Sequence, residues 1–540
     1  MNIKRAKEEI KNTIEAYLMK NEYGVYEIPP IRQRPVLLMG PPGIGKTQIM
    51  EQIAQECRIG LVAYTITHHT RQSAIGLPFI QDKIYDSRRV SVTEYTMSEI
   101  VSAIYDKIED TGMQEGILFI DEINCVSETL APTMLQFLQC KTFGNHKIPK
   151  GWIIVAAGNP PEYNKSVREF DIVTLDRIKM IPVEADFAVW KEYGEQVNIH
   201  PAILSYLDVK QQNFCQIEST VDGKLFATPR GWEDLSRLME VYEKLGKTID
   251  REVVFQYIQH PRIAKDFANY LELYCKYEQD YQVDEILSGK VREGIYPRLE
   301  KAPFDERLSV MSLILARLNG GFRQVVKKEE RLERLQRIFR RLRPRSEGTD
   351  PAGNKSGLSG RRSQPGSMNQ GQAAGGPVSG GSLSEYDSPA EYLAGLTAGM
   401  QAERKYKLES GLLSRREDYL YQDVLTILER TLQIVKAEGR GTEEEVWEKV
   451  SQIFQEENQT YEDLFDQCAE RLEHAFDFME GAFGTGQEMV VFVTGLNTGF
   501  YSLHFLQEYE CKRYYEYNKM LLFEDEEKEI RDMVRRRMEI

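Results

Sequence analysis

Between about 35 and 185 the chain alternates short, unbroken apolar runs with longer segments of helical periodicity. The runs VLLM (36–39), LVAYTI (61–66), ILFID (117–121), IIVAA (153–157) and KMIPV (179–183) are each bounded by turns or polar segments. Between several of them, stretches such as GKTQIMEQIAQEC and TMSEIVSAIYDKIED repeat their apolar residues at helical spacing. A strand that is apolar on both faces must be covered on both faces. The pattern therefore predicts an α/β fold, a parallel sheet with helices on either side. Ahead of it Ile3, Ile10, Ile14 and Leu18 trace one stripe of an amphipathic first helix. The segment Gly76–Tyr85 alternates like a β-hairpin turning around Asp82-Lys83.

From 186 to 343 the strand-like runs give way to helical periodicity, as in GWEDLSRLMEVYEKLG and ERLSVMSLILARLNG. Then the pattern stops. Residues 344–389 hold ten Gly, nine Ser and five Pro with few large apolar side chains, so they cannot build a core and read as a flexible linker. Helical patterning returns over 390–540 and ends in a strongly charged helix. The expected organisation is an α/β domain over 1–185, a helical lid and extension over 186–343, the linker over 344–389, and a separate all-α domain over 390–540. The most apolar stretch, Met489–Leu506, carries Asn497, His504 and two threonines and reads as a buried helix, not a membrane span.

Composition narrows the function classes. A chain of 540 residues with a formal charge of -15 has no general basic field to steer a polyanion onto it. The one local exception is Arg323–Arg345, with ten basic and three acidic residues. It reads more simply as a solvated face or a dock for an acidic partner than as a nucleic-acid site. Seven scattered cysteines without CxxC spacing suggest free thiols in a reducing compartment. The first twenty residues lack the apolar core of a secretory signal. A cytoplasmic protein without membrane insertion is expected. His68-His69 lacks a third ligand at suitable spacing and is not expected to hold a metal.

The chemistry concentrates in the first domain. Gly40-Pro41-Pro42-Gly43-Ile44-Gly45-Lys46-Thr47 matches GxxxxGK[ST] between a predicted strand and a predicted helix. Such a loop turns backbone N–H groups toward phosphates at a helix N-terminus. Lys46 is suited to the β- and γ-phosphates, and Thr47 to Mg²⁺. ILFIDEIN then delivers Asp121 and Glu122 to the carboxyl end of a strand, where ligands bind in open parallel sheets. Asp121 suits the surroundings of the same Mg²⁺, and Glu122 suits polarisation of an attacking water. Asn159, just past the next strand in GNPPEY, can position that water. Arg177 in TLDRI and Arg230 in TPRG are candidates for stabilising charge on the γ-phosphate.

Together, the phosphate loop, FIDEIN, GNP, LDRI and TPRG resemble, in order, an AAA+ ATPase of the MoxR branch, related to magnesium-chelatase and dynein-type motors. The resemblance covers roughly 1–250. It implies ATP and Mg²⁺ as ligands, Asn159 as the sensor-1 residue, and Arg230 as sensor 2 in a helical lid. It also implies Arg177 as an arginine finger serving a neighbouring subunit in a ring, usually a hexamer. Because the segment before LDRI departs from the family's, Arg168 is a rival finger. Arg71, Leu77 and Phe79, around the hairpin, would face a client. Proteins of this branch often act with a von Willebrand A domain protein; no DxSxS occurs in this chain, so that partner would be a separate polypeptide. A mechanochemical ATPase acting on a partner protein is the leading expectation. A nucleic-acid motor and a GTP switch are the alternatives, the latter disfavoured because none of the NK pairs continues as NKxD.

Overall fold

The computed structural model describes residues 1–68, 74, 76–85, 88–143, 146–163, 167, 170–220, 223–342, 389–437 and 442–520. Its strands, in chain order, are β1 (Val36–Met39), β2 (Gly60–Thr65), β3 (Pro78–Tyr85), β4 (Arg88–Tyr95), β5 (Gly116–Asp121), β6 (Thr142–Phe143), β7 (His146–Lys147), β8 (Trp152–Gly158), β9 (Lys179–Pro182), β10 (Gln216–Thr220) and β11 (Gly223–Ala227). Five of them form one parallel sheet in the order β2-β5-β8-β1-β9. These are the five apolar runs, each within a residue of its expected bounds.

Alternate residues of a strand point to opposite faces, and here both faces are buried. On one side Leu38, Phe119, Val155 and Ala157 pack under helices α1 (Ile3–Leu18) and α2 (Lys46–Cys57), which contribute Ile10, Ile14, Met50 and Ile53. On the other, Leu37, Leu118, Ile120 and Ala156 meet Ile100 and Ile104 of the helix Glu99–Thr111 and Met134, Phe137 and Leu138 of Ala131–Cys140. The α/β fold with helices on both faces is thus the observed one.

The hairpin is real, but its turn is not at Asp82-Lys83. Those residues sit inside β3, where Asp82 pairs with Ser91 of β4. Arg88–Tyr95 supplies the partner strand, and the Asp82 carboxylate accepts from Arg89 Nη2 and Ser91 Oγ, both at 2.6 Å, which holds this register. A second hairpin, β10–β11, interrupts the helical stretch after 186. Its strands are short and partly buried, and Ile217, Leu225 and Phe226 are too few to give a clear apolar alternation.

The chain divides into two compact units, and the division differs from the expected boundaries. The first comprises Met1–Val326, the short piece Ser410–Leu412 and the described residues from Phe465 on. Its helical part buries Tyr206, Trp232 and Phe267 against one another at ring separations of 5.2 to 5.8 Å. The described residues from Phe465 on group with the first unit. Phe505 stacks on Phe322 at 4.4 Å, Phe478 lies 5.7 Å from Tyr296, and Arg307 pairs with the buried Glu488 at 2.5 Å. Buried aromatics of this size dominate core energetics, so the terminal helices belong with the core they fill. Among the described residues no single helix is long and apolar enough to cross a membrane. Gln487–Thr498 and Phe500–Glu508 are bent by 87° and bury Phe492, Leu496 and Phe505.

The second unit comprises Lys327–Glu409 and Leu413–Leu464. Its core is helical, built from Leu335, Phe339, Leu393, Val424, Leu428 and Val450. All but the last residue of the linker, and the charged C-terminal end from 521, lie outside the described residues.

Candidate nucleotide-binding site

The phosphate loop leaves the central strand β1 and enters α2. Gly43 (φ 79°) and Gly45 (φ 92°) hold the left-handed backbone that only glycine adopts without strain. A Cβ on Gly43 would also come within 3.1 Å of Arg230 Cβ, so the loop and the lid helix Pro229–Lys244 are packed backbone to side chain. Lys46 is buried, and its ammonium donates to the Gly40 carbonyl at 2.7 Å, the Pro41 carbonyl at 2.8 Å and Asn159 Oδ1 at 2.8 Å. Burial pushes its pKa down to about 8; Asp121 and Glu122 pull it up, and Arg230 adds to the depression.

β5 and β8 are neighbours, and β8 pairs with β1, so three strand ends open onto one place. Asp121 Oδ2 accepts from Thr47 Oγ1 at 2.9 Å, while its Oδ1 accepts from the Glu122 backbone N–H at 2.9 Å. Glu122 itself has φ 56°, an uncommon conformation for a side chain of this kind. Asn159 is held by a residue not expected beforehand: Asn124 Nδ2 donates to its carbonyl at 2.8 Å, and Asn124 Oδ1 accepts from its N–H at 3.3 Å. The signal was present as the last letter of DEIN, but nothing local tells that its amide faces the next strand.

These groups line a cleft of about 220 Å³ formed by Pro42, Gly43, Gly45, Lys46, Thr47, Gln48, Asp121, Glu122, Asn159 and Arg230 together with Glu233, Asp234 and Arg237. The last three were missed. They follow Arg230 at intervals of three, four and seven, one face of a helix, and that spacing is the signal that could have found them. The lid helix starts on Thr228, whose Oγ1 accepts from Gly231 N–H at 3.2 Å and so positions Arg230 in its first turn. The hydroxyl of Thr47 and the carboxylate of Asp121, side by side at the phosphate end, are the oxygen donors a hard divalent cation such as Mg²⁺ takes.

Arg177 is not in this cleft. It is exposed between the short helix Ile172–Leu175 and β9, its Nη1 donating to Gln139 Oε1 at 2.5 Å. Ile172 and Val173 are exposed beside it. Arg168, Arg71 and His69 lie outside the described residues. Leu77 and Phe79 are exposed at the start of β3. Part of the basic run after Arg323 is engaged within the second unit: Arg331 pairs with Glu457 at 2.6 Å, Lys328 Nζ donates to the Thr460 carbonyl at 3.1 Å, and Arg334 lies 4.6 Å over the Tyr421 ring.

Residues 36–175 match the family model described as "ATPase family associated with various cellular activities (AAA)". This segment is an AAA ATPase domain. The AAA domain contains the phosphate loop, Asp121, Glu122 and Asn159; Arg177 and Arg230 lie beyond the matched residues. ATP binding and hydrolysis are the general activity of such domains, and the parallel sheet with its flanking helices agrees with their fold. No curated protein matches the chain.

Proposed function

We propose that this protein hydrolyses ATP with Mg²⁺ and couples turnover to remodelling or activation of a partner protein, as a ring-forming, MoxR-like AAA+ ATPase. The observation that carries the reading is the placement of Glu122 beside Asp121, facing the same cleft as Lys46, Asn159 and Arg230. A kinase that passes phosphate to a metabolite has no need of a water-polarising carboxylate there.

A second cleft of about 210 Å³ opens from the same loop and is lined by Ile44, Val189, Trp190, Phe214 and Ile3 among others. Apolar walls such as these, with polar groups at the edge, suit a heteroaromatic base. With the base there, the triphosphate lies along the loop N–H groups. Lys46 holds the β- and γ-phosphates, and Thr47 and Asp121 would hold Mg²⁺, which would supply charge neutralisation on the phosphate oxygens. Glu122 accepts a proton from the attacking water, which Asn159 orients. Arg230 approaches from the lid. The exposed position of Arg177 supports service to a neighbouring subunit's γ-phosphate, so the assembly is a homo-oligomer, a hexamer by resemblance. The exposed Leu77 and Phe79 support a client surface on the hairpin. A separate von Willebrand A domain protein is a candidate adaptor.

The test is Glu122→Gln, which keeps shape and removes the base. Hydrolysis should fall by about 100-fold or more while ATP binding persists. Unchanged turnover would overturn the assignment, and the ATP-trapped variant is the form in which to capture the partner.

A further inference from the structure

The phosphate cleft and the apolar cleft meet at four residues, Gly43, Gly45, Gln48 and Glu233. Only Gln48 and Glu233 bring polar side chains to that junction. A nucleotide with its phosphates on the loop and its base between Ile44 and Trp190 must lay its sugar across this point. The junction is therefore where a sugar can be read.

Glu233 is built for the task. It lies on the lid helix three residues after Arg230, is 7% exposed, and remains held by specific donors. Its Oε1 accepts from the Tyr193 hydroxyl at 3.3 Å and from the Arg237 guanidinium. Gln48 Nε2 in turn donates to the Tyr193 oxygen at 3.4 Å, which ties the carboxylate to the first turn of α2. Burial pushes the Tyr193 phenol up to about 12, so it stays a donor. Among the described residues Oε2 has no hydrogen-bond partner, which leaves it for a ligand. A buried carboxylate with one oxygen anchored and the other presented to a cleft is a hydrogen-bond acceptor without water to compete. The vicinal hydroxyls of ribose are a matching pair of donors.

We propose that Glu233 is the sugar-reading residue of this site, accepting hydrogen bonds from the ribose 2′- and 3′-hydroxyls and thereby selecting ribonucleotides over deoxyribonucleotides. The inference rests on the nucleotide reading above and adds its specificity determinant. Losing a hydrogen bond to a charged group weakens binding by roughly 10- to 100-fold. A sugar without the hydroxyl also leaves the carboxylate buried and unpaired.

The test is equilibrium binding of ADP, 2′-deoxyADP and 3′-deoxyADP to the full chain, which avoids turnover. The wild-type protein should bind ADP roughly 10- to 100-fold tighter than at least one deoxy analogue. Glu233→Ala should bind all three within about 3-fold of one another, and Glu233→Gln, which keeps an acceptor, should fall between. Arg237→Ala removes the ion pair but keeps the carboxylate, so its sugar discrimination should persist; loss there would assign the effect to the ion pair and overturn the proposal. Equal binding of ADP and both deoxy analogues by the wild type would overturn it too, even if Glu233→Ala failed to fold. Absence of binding by any of the three would instead remove the nucleotide reading on which it stands.

Discussion

Burial holds the Lys46 ammonium down to about 8, and the carboxylates of Asp121 and Glu122 only partly offset that. A nucleotide's phosphates would add negative charge beside the ammonium and raise its pKa again. The bound state then carries more protons than the free state once pH passes about 8, so affinity must fall as pH rises through that value. ADP titrated by calorimetry between pH 7 and 9.5, in buffers of different ionisation heat, should show proton uptake that grows above pH 8. Lys46→Arg should abolish that proton uptake, because a guanidinium stays charged throughout. Glu122 raises a different point at the same scale. Its left-handed backbone costs on the order of 1 kcal/mol, and such strain is retained at functional positions when the surroundings enforce it. Sequence marked Glu122 by its neighbours in IDEIN; its conformation was not legible there.

At the scale of elements, strands buried on both faces were the most legible part of the chain, because an unbroken apolar run is a strong local signal. β1 matches its run at both ends, whereas β10–β11 were invisible, since Gln216, Glu218 and Ser219 carry no apolar alternation. The Asp82-Lys83 turn failed for a related reason. Polar residues mid-strand imitate a turn unless the partner strand that satisfies them is known. The helix pair at the C-terminus offers a test of packing. Glu195 of the helix Phe187–Val197 accepts a backbone hydrogen bond from Phe500, and burial raises its pKa to about 7 against the pull of Lys191. The nearby Asp208 and Glu192 push in the same direction as burial. The folded state thus binds a proton that the unfolded state has already lost, and stability falls as pH rises from the ordinary carboxylate range through about 7. Glu195→Gln should gain about 3 kcal/mol over wild type at pH 8, with the advantage fading by pH 4, as read by urea denaturation at both values.

At the scale of the whole molecule, the proposal that matters most is the shared site. Arg177 is exposed outside the cleft lined by Glu122, so the two can be separated genetically. Arg177→Ala and Glu122→Gln should each be inactive alone. Mixed in equal amounts and allowed to exchange, they would create intact sites at about a quarter of the interfaces of a symmetric ring. Recovery of hydrolysis in the mixture is the expected outcome; a mixture as inactive as its parts would show that Arg177 does not act in trans. The basic run after Arg323 illustrates the opposite lesson. Its net charge made it the one local stretch that could have held a polyanion, though a solvated face or an acidic partner was the simpler reading, and Arg331 and Arg334 are turned to Glu457 and Tyr421 of their own unit. Composition counts charges without knowing which are already paired.

Periodicity, turn chemistry and residue order along the chain determined the α/β class, the phosphate loop at 40–47, the acidic pair at 121–122 and the polar residue at 159. All of these are local signals, readable within a window of ten or so residues. Tertiary structure decided what those pieces do together. The order β2-β5-β8-β1-β9 sets the ends of β5, β8 and β1 side by side and so joins Thr47 to Asp121 and Lys46 to Asn159 across more than seventy residues of chain. It also brought Asn124, Glu233 and Arg237 to the site and placed residues after 465 in the first unit. Each of those outcomes depends on which buried faces meet at long range, and that choice is made by the collective burial of the core, not by any one stretch of sequence.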